Sequence, residues 1–209
     1  MAKLERSRSG MVPEPAADGL YELARLAASG DKDATHRLLT AVTPSLARVV
    51  RAVLGPQHPD LDDATQRALM SYVDALPAYR GDCDPATYGR VIALHAAIAV
   101  RKKNLRDAAR RAPAEAAEGI PSERGAPGES LLSARRMQIF RELIAELPTE
   151  QAEAFAMRVV LDLPFEEIAA HSGAPLNTVR SRLRLARERL KERIESDPRL
   201  REALGVNEP

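Results

Sequence analysis

The sequence predicts an all-α fold: two small helical domains joined by a flexible linker, the second containing a helix-turn-helix. Three observations carry this. Ala, Leu and Arg are abundant and aromatics make up only 3% of the 209 residues, and straight-chain side chains lose little rotamer freedom in a helix. Apolar residues recur at helical spacing in one segment after another, with no alternating run that reads as a strand. Residues 112–130, "APAEAAEGIPSERGAPGES", hold three Pro and three Gly without sustained periodicity, the composition of a tether.

Residues 1–18 read as a disordered arm, polar and broken by Pro13 and Pro15. The first domain spans residues 19–111. "LYELARLAASGD" sets Leu20, Leu23, Ala24 and Ala27 on one helix face and stops at Ser29-Gly30. Asp31 is placed to cap a second helix, where Leu38, Leu39, Val42, Leu46, Val49, Val50 and Val53 recur and Pro44 should kink or split the run. A third helix covers residues 60–76, with Leu61, Ala64, Ala68, Tyr72 and Leu76 inward. After the loop "PAYRGDCDPATY" a fourth runs from about Ala86 to Leu105 into the basic string "RKKNLRDAARR".

The second domain spans residues 131–204, with 205–209 as a tail. "LLSARRMQIFRELIAEL" is amphipathic, Pro148 interrupts it, and Thr149 is placed to cap "EQAEAFAMRVVLDL". "FEEIAAHSG" then forms a short helix ending at Gly173, followed by a helix capped near Asn177 or Thr178. At 100° per residue, Val179, Leu183, Ala186 and Leu190 form a docking stripe. Arg180, Arg184, Arg187 and Lys191 flank it on one side, and Arg182, Arg189 and Arg193 on the other. Ser181, Leu185, Glu188 and Glu192 point outward. Helix, Gly-containing turn and basic helix make a helix-turn-helix suited to a major groove. The alternative is a solvated basic helix with surface ion pairs through Glu188 and Glu192.

Composition sets further bounds. Net charge is only +1, so attraction to nucleic acid must come from uneven placement of charge. The single Cys83 excludes an internal disulfide and fits a reducing compartment. The polar amino terminus is no signal peptide, and no apolar run reaches the roughly 20 residues a membrane helix needs. These features predict a soluble, cytoplasmic protein without membrane insertion. His36, His58, His95 and His171 are scattered without metal-ligand spacing. With no nucleophile–base set, metal-ligand set or phosphate-cradling loop, neither an enzyme nor a cofactor is expected. Asp82 and Asp84 should raise the Cys83 thiol pKa, against a reactive thiolate.

The sequence resembles the extracytoplasmic-function sigma factors of bacterial RNA polymerase. In the second domain "EEIA", Gly173, "TVRSRL" and "ARERL" match the cores of the family's promoter-reading domain four. In the first, "SGDKDATHRLL", "DLDDATQRAL", "ALPAYRGD" and "TYGRVIA" are similar to sigma domain two. The resemblance implies a non-catalytic factor that directs core RNA polymerase to promoter DNA and assists its opening. It implies polymerase docking around Asp62, Asp63 and Gln66, although Asp62 and Asp63 would also favour a helix N-terminus by charge alone. It implies minus-ten contacts at Arg80, Gly81, Asp82, Cys83, Tyr88 and His95, with Arg101 and Lys102 on phosphates, although a half-buried packing role for Tyr88 and a solvated helix end for Arg101 and Lys102 account for those residues equally well. It implies minus-thirty-five contacts at Thr178, Arg180, Ser181, Arg182, Arg184, Arg187 and Lys191. Their outward angle favours Ser181 and Arg184 for bases, leaving Arg180, Arg187 and Lys191 as the expected phosphate contacts. An anti-sigma factor is a further implied partner that no residue identifies.

Several positions depart from the family pattern. Pro85 and Tyr88 replace an aromatic and a Trp, His95 replaces a frequent Asn, and Val91 and Leu94 stand where basic residues are common. Weaker stacking and phosphate attraction bear on strand separation. Leu185 stands where Arg is frequent, which predicts an unusual promoter sequence. The rival reading is a helix-turn-helix regulator that binds DNA without joining polymerase; it leaves the first-domain match unexplained.

Overall fold

The computed structural model describes residues 17–111 and 131–205. Its elements are α1 (Ala17–Ala28), α2 (Lys32–Leu54), α3 (Leu61–Ala75), a 3-10 turn (Leu76–Ala78), α4 (Pro85–Arg111), α5 (Leu131–Glu146), α6 (Thr149–Val160), α7 (Phe165–Ser172), α8 (Leu176–Ser196) and α9 (Pro198–Leu204). No strand occurs among the described residues. The expected arm, apart from its last two residues, and the expected linker lie outside them.

α1–α4 close around the predicted periodic residues. Ala24, Leu38, Leu46, Val50, Ala64, Ala68 and Tyr72 are sealed from solvent, each large apolar side chain contributing about 1.5–3 kcal/mol by leaving water. The Tyr72 hydroxyl is not left unpaired in this core: it donates to the Pro85 carbonyl at 3.1 Å. Asp31 caps α2 as expected, accepting from the Ala34 amide at 2.9 Å. α2 nevertheless runs unbroken through Pro44. Pro44 is exposed, so the missing hydrogen bond falls on the solvent side, where a carbonyl can turn outward to water, while buried Val42 and Leu46 hold the helix down.

α5–α9 form the second unit around Ile144, Ala152, Met157, Ile168, Val179, Leu183 and Ala186, with Ile139, Leu143 and Leu200 as a satellite cluster under α9. Two expected caps are corrected. Thr149 is the first residue of α6, and Asn177 and Thr178 lie inside α8. Pro148 and Pro175 occupy the cap positions, and their carbonyls accept the first amides of each helix. Proline has the fixed φ such an entry needs. α4 also extends beyond the expected Leu105 to Arg111, and α9, capped by Asp197 at the Arg199 amide (3.0 Å), adds a helix that periodicity had not marked.

The two units pack on each other. α4 lies against α5 and α6, and the buried residues of both units form one continuous apolar cluster.

Candidate nucleic-acid interface

The helix-turn-helix is built from local chemistry. Gly173 ends α7 at φ 59°, a left-handed conformation, and its amide donates back to the Ala169 and Ala170 carbonyls. A side chain there would be strained. α8 then docks through Val179, Leu183 and Ala186, all buried, with Leu190 half-buried. Docking that stripe turns Arg180, Ser181, Arg184, Leu185 and Arg187 to solvent.

The two basic flanks of α8 divide their work. Arg180, Leu183, Arg184 and Arg187 line a shallow groove of about 350 Å³ with Phe165 and Glu188. Arg184 pairs with Glu188 at 2.7 Å and Lys191 with Glu195 at 3.6 Å, both on the surface. Exposed pairs of this kind are weak and exchange readily. Arg180, Arg182 and Arg187 make no ion pair among the described residues. The other flank braces the unit: Arg189 donates to Gln151 at 2.8 Å, and Arg193 to Glu146 at 3.1 Å and Asp197 at 3.0 Å. Of the predicted minus-thirty-five residues, Thr178 and Arg182 are half-buried and the other five are exposed on one side.

The loop of residues 79–84 makes a second concave site. Asp84 anchors the start of α4 by accepting from the Thr87 amide at 2.8 Å and its hydroxyl at 3.2 Å. Tyr79 donates its hydroxyl to the Cys83 carbonyl and sits 5.1 Å from the ring centroid of Tyr88. Tyr88 in turn lies 6.2 Å from Tyr72 and donates to the Ala75 carbonyl at 3.3 Å. Tyr79, Arg80, Asp82, Cys83 and Tyr88 line a pocket of about 310 Å³, completed by Glu167 and His171 of α7. Gly81, exposed and at φ 81°, turns the loop. Burial first, then the charges of Asp84, Glu167 and Asp82, pushes the Cys83 thiol up, the direction expected from its flanking carboxylates. Asp84 and Tyr79 hold this site together, although neither is among the individual residues expected to contact the minus-ten element. An Asp three residues before a Thr at a helix start was the available signal.

His95, Arg101 and Lys102 lie farther along α4 and stand apart from that pocket's lining. His95 is half-buried, Arg101 donates to the carbonyls of Arg141 and Leu54, and Lys102 donates to the Leu147 carbonyl. Desolvation lowers the Lys102 pKa against the pull of Glu153 on α6. The positions expected to be basic, Val91 and Leu94, are buried at 4% and 0% exposure.

Asp62, Asp63 and Gln66 are exposed on α3, Asp63 pairing with Arg67 at 2.8 Å. Met70 continues the Asp62–Gln66 row one turn on and is 66% exposed, an apolar contact point that a periodicity search for core residues passes over. Among the described residues no cluster of His, Cys, Asp and Glu is arranged to hold a metal, and no helix is long and apolar enough to cross a membrane.

A family model described as Sigma-70, region 4 matches residues 137–190. The ECF RNA polymerase sigma factor SigD of Mycobacterium tuberculosis (strain ATCC 25618 / H37Rv) is 32% identical over 174 residues, 80% of each chain. The ECF RNA polymerase sigma-E factor of Escherichia coli (strain K12) is 30% identical over 176 residues, covering 79% of this chain and 89% of its own. Among solved structures, CnrH in complex with the cytosolic domain of CnrY matches with a TM-score of 0.52 at 23% identity, covering 87% of this chain and 99% of that one, a likeness of fold.

Proposed function

Because the chain belongs to the extracytoplasmic-function sigma factors of bacterial RNA polymerase, we propose that its two helical units, residues 19–111 and 131–204, grip separate elements of one promoter. The protein directs core RNA polymerase to promoters and is not an enzyme. The cytoplasm, where the polymerase works, is its proposed location, and an anti-sigma protein its proposed restraint.

α8 enters the major groove at the minus-thirty-five element. Ser181 and Arg184 meet base edges, while Arg180, Arg187 and Lys191 meet phosphates and Thr178 and Arg182 flank them. Arg is the side chain best matched to guanine by paired donors, and phosphate contacts fix register. The observation that carries this assignment is the left-handed turn at Gly173, which presents Arg180, Arg184 and Arg187 along one exposed groove.

The loop of residues 79–84 and the start of α4 take the minus-ten element. A base leaving the stack costs a few kcal/mol, and a pocket lined by Tyr79 and Tyr88 offers aromatic faces to receive it. Arg80, Gly81, Asp82 and Cys83 shape that pocket, His95 meets the element farther along α4, and Arg101 and Lys102 contact the adjoining duplex once released from α5 and the α5–α6 junction. Asp62, Asp63 and Gln66, with Met70 as apolar neighbour, form the docking surface for core polymerase.

Run-off transcription with core enzyme on a library of randomised promoters tests these assignments together. The expected result is a selected pair of elements at fixed separation. Binding to DNA with no stimulation of core enzyme would instead mark a regulator that acts apart from polymerase.

A further inference from the structure

Ser45, Arg48, Val49 and Ala52 recur at helical spacing on one face of α2. With Arg90 of α4, and Val160 and Leu161 at the end of α6, they enclose a cleft of about 300 Å³. Val49 is buried, and Ala52, Val160 and Leu161 are half-buried, so much of the wall is apolar. Two cations stand in this cleft without a counter-charge. Arg48 is exposed, and its one hydrogen bond among the described residues runs from Nε to the Pro44 carbonyl at 3.4 Å. Arg90 donates from Nη2 to Oγ1 of Thr87 at 2.6 Å, and that hydroxyl donates to Oδ2 of Asp84 at 3.2 Å. The Nε of Arg90 is buried with no hydrogen-bond partner among the described residues. Elsewhere the chain supplies its arginines with carboxylates, as Glu22 does for Arg25 and Asp63 for Arg67. Asp162, next to Leu161, is already taken by Arg158 at 2.6 Å.

A buried guanidinium N–H without an acceptor is costly, and an acceptor from outside the chain removes that cost. Water would complete the hydrogen bond but leave two like charges facing one cleft. An anion answers both needs. The planar fork of arginine matches phosphate oxygens with paired donors. A phosphate monoester near neutral pH carries close to the two charges required, where a carboxylate carries one. The volume lies at the lower end of the range for small-molecule sites, about 300–1,000 Å³, and such sites combine apolar walls with a few placed polar groups.

We propose that this cleft binds a small phosphorylated metabolite, its phosphate between Arg48 and Arg90 and its apolar or aromatic body against Val49, Ala52, Val160 and Leu161. Asp84 and Thr87 act as positioning residues: they tie down Nη2 of Arg90 and leave Nε and Nη1 without protein partners. The ligand touches α2 and α4 of the first unit and the end of α6 of the second, so its binding raises the thermal midpoint of the full chain by mass action. Neither arginine is assigned to promoter or polymerase, so the site stands or falls apart from those contacts.

The test titrates the full chain calorimetrically at low ionic strength with phenyl phosphate, glucose 6-phosphate and inorganic phosphate. Phenyl phosphate should bind at one site and at least about tenfold more tightly than inorganic phosphate, because its ring leaves water against the apolar wall. Arg48→Gln, at an exposed position where folding is not at stake, should weaken that binding at least about tenfold, and Arg90→Gln likewise. Arg51→Gln, exposed on α2 outside the cleft, should leave it unchanged. Equal binding by Arg48→Gln, or an equal loss in Arg51→Gln, would overturn the proposal, the latter by revealing a diffuse basic surface. Glucose 6-phosphate binding as tightly as phenyl phosphate would overturn the apolar half of the site. No binding of any probe, together with a smaller salt slope of promoter binding in Arg48→Gln, would give the two arginines to DNA phosphates instead.

Discussion

Arg189 of α8 donates through Nη1 to Oε1 of Gln151 on α6 at 2.8 Å, and Gln151 is among the few polar residues buried in the second unit. A cation inside a DNA-reading helix therefore serves the fold. Removing it leaves a buried amide oxygen without its donor, at a cost of about 1–3 kcal/mol. Arg189→Ala should lower the thermal midpoint while leaving the salt dependence of promoter binding unchanged. Arg180→Ala should do the reverse, keeping the midpoint and reducing the salt slope by about one charge. Thermal melts and binding titrations across salt concentrations separate the two.

That division shows what the sequence can and cannot express. The stripe of Val179, Leu183, Ala186 and Leu190 was legible because helical period is written directly into residue order. Gly173 was legible because few other residues accept its backbone angle. Arg189 and Arg180 look alike in sequence, since a guanidinium carries no mark of whether a carboxamide or a phosphate will meet it. Arg101 and Lys102 are the same case: a basic helix end reads identically whether its partners are phosphates or the carbonyls of α5. Val91 and Leu94 announced burial without naming what buries them. Thr149 and Asn177 misled because cap-forming side chains stood one and two residues after prolines that took the cap positions themselves.

Gly89 sits where α4 packs against α2 and α3. A methyl group would press on Leu46 at 3.0 Å and on the Tyr72 ring at 3.3 Å, and both neighbours are fully buried. Helix propensity favours Ala over Gly by about 1 kcal/mol, but overpacking a filled core costs about 1–3 kcal/mol. Crowding should win, because Tyr72 is also pinned by its bond to the Pro85 carbonyl. Gly89→Ala is therefore expected to destabilise the chain in denaturant titrations, and a stabilised variant would show that Leu46 can move aside.

His171 gives the fold a pH dependence. Desolvation holds its pKa below the ordinary 6.5; Glu167 on its own helix opposes that shift and His95 on α4 adds to it. Tyr79, Arg80, Asp82, Cys83 and Tyr88 face it across the pocket. The unfolded chain thus binds a proton at this site more readily than the folded one, so stability rises with pH across the interval between the two values. Its contribution is complete above the ordinary imidazole value and is lost as pH falls below it toward the folded value. His171→Gln should flatten this acid limb in unfolding measurements from about pH 8 to about pH 5. An unchanged limb would assign it to other groups.

Tyr88 offers the sharpest test of promoter opening. Its ring lies tilted beside that of Tyr79 with centroids 5.1 Å apart, while its hydroxyl makes only a long bond of 3.3 Å to the Ala75 carbonyl. If the ring receives an extruded base, the aromatic face matters and the hydroxyl does not. Tyr88→Phe should then open promoters at nearly the parental rate. Tyr88→Ala should lose the stacking contribution, about 1–3 kcal/mol per base, read as a weaker signal from a fluorescent base analogue placed in the minus-ten element. Because the ring also packs against Tyr72 at 6.2 Å, the thermal midpoint of each variant must be measured alongside. A fall in midpoint for Tyr88→Ala with full opening by the folded fraction would assign the ring to packing alone.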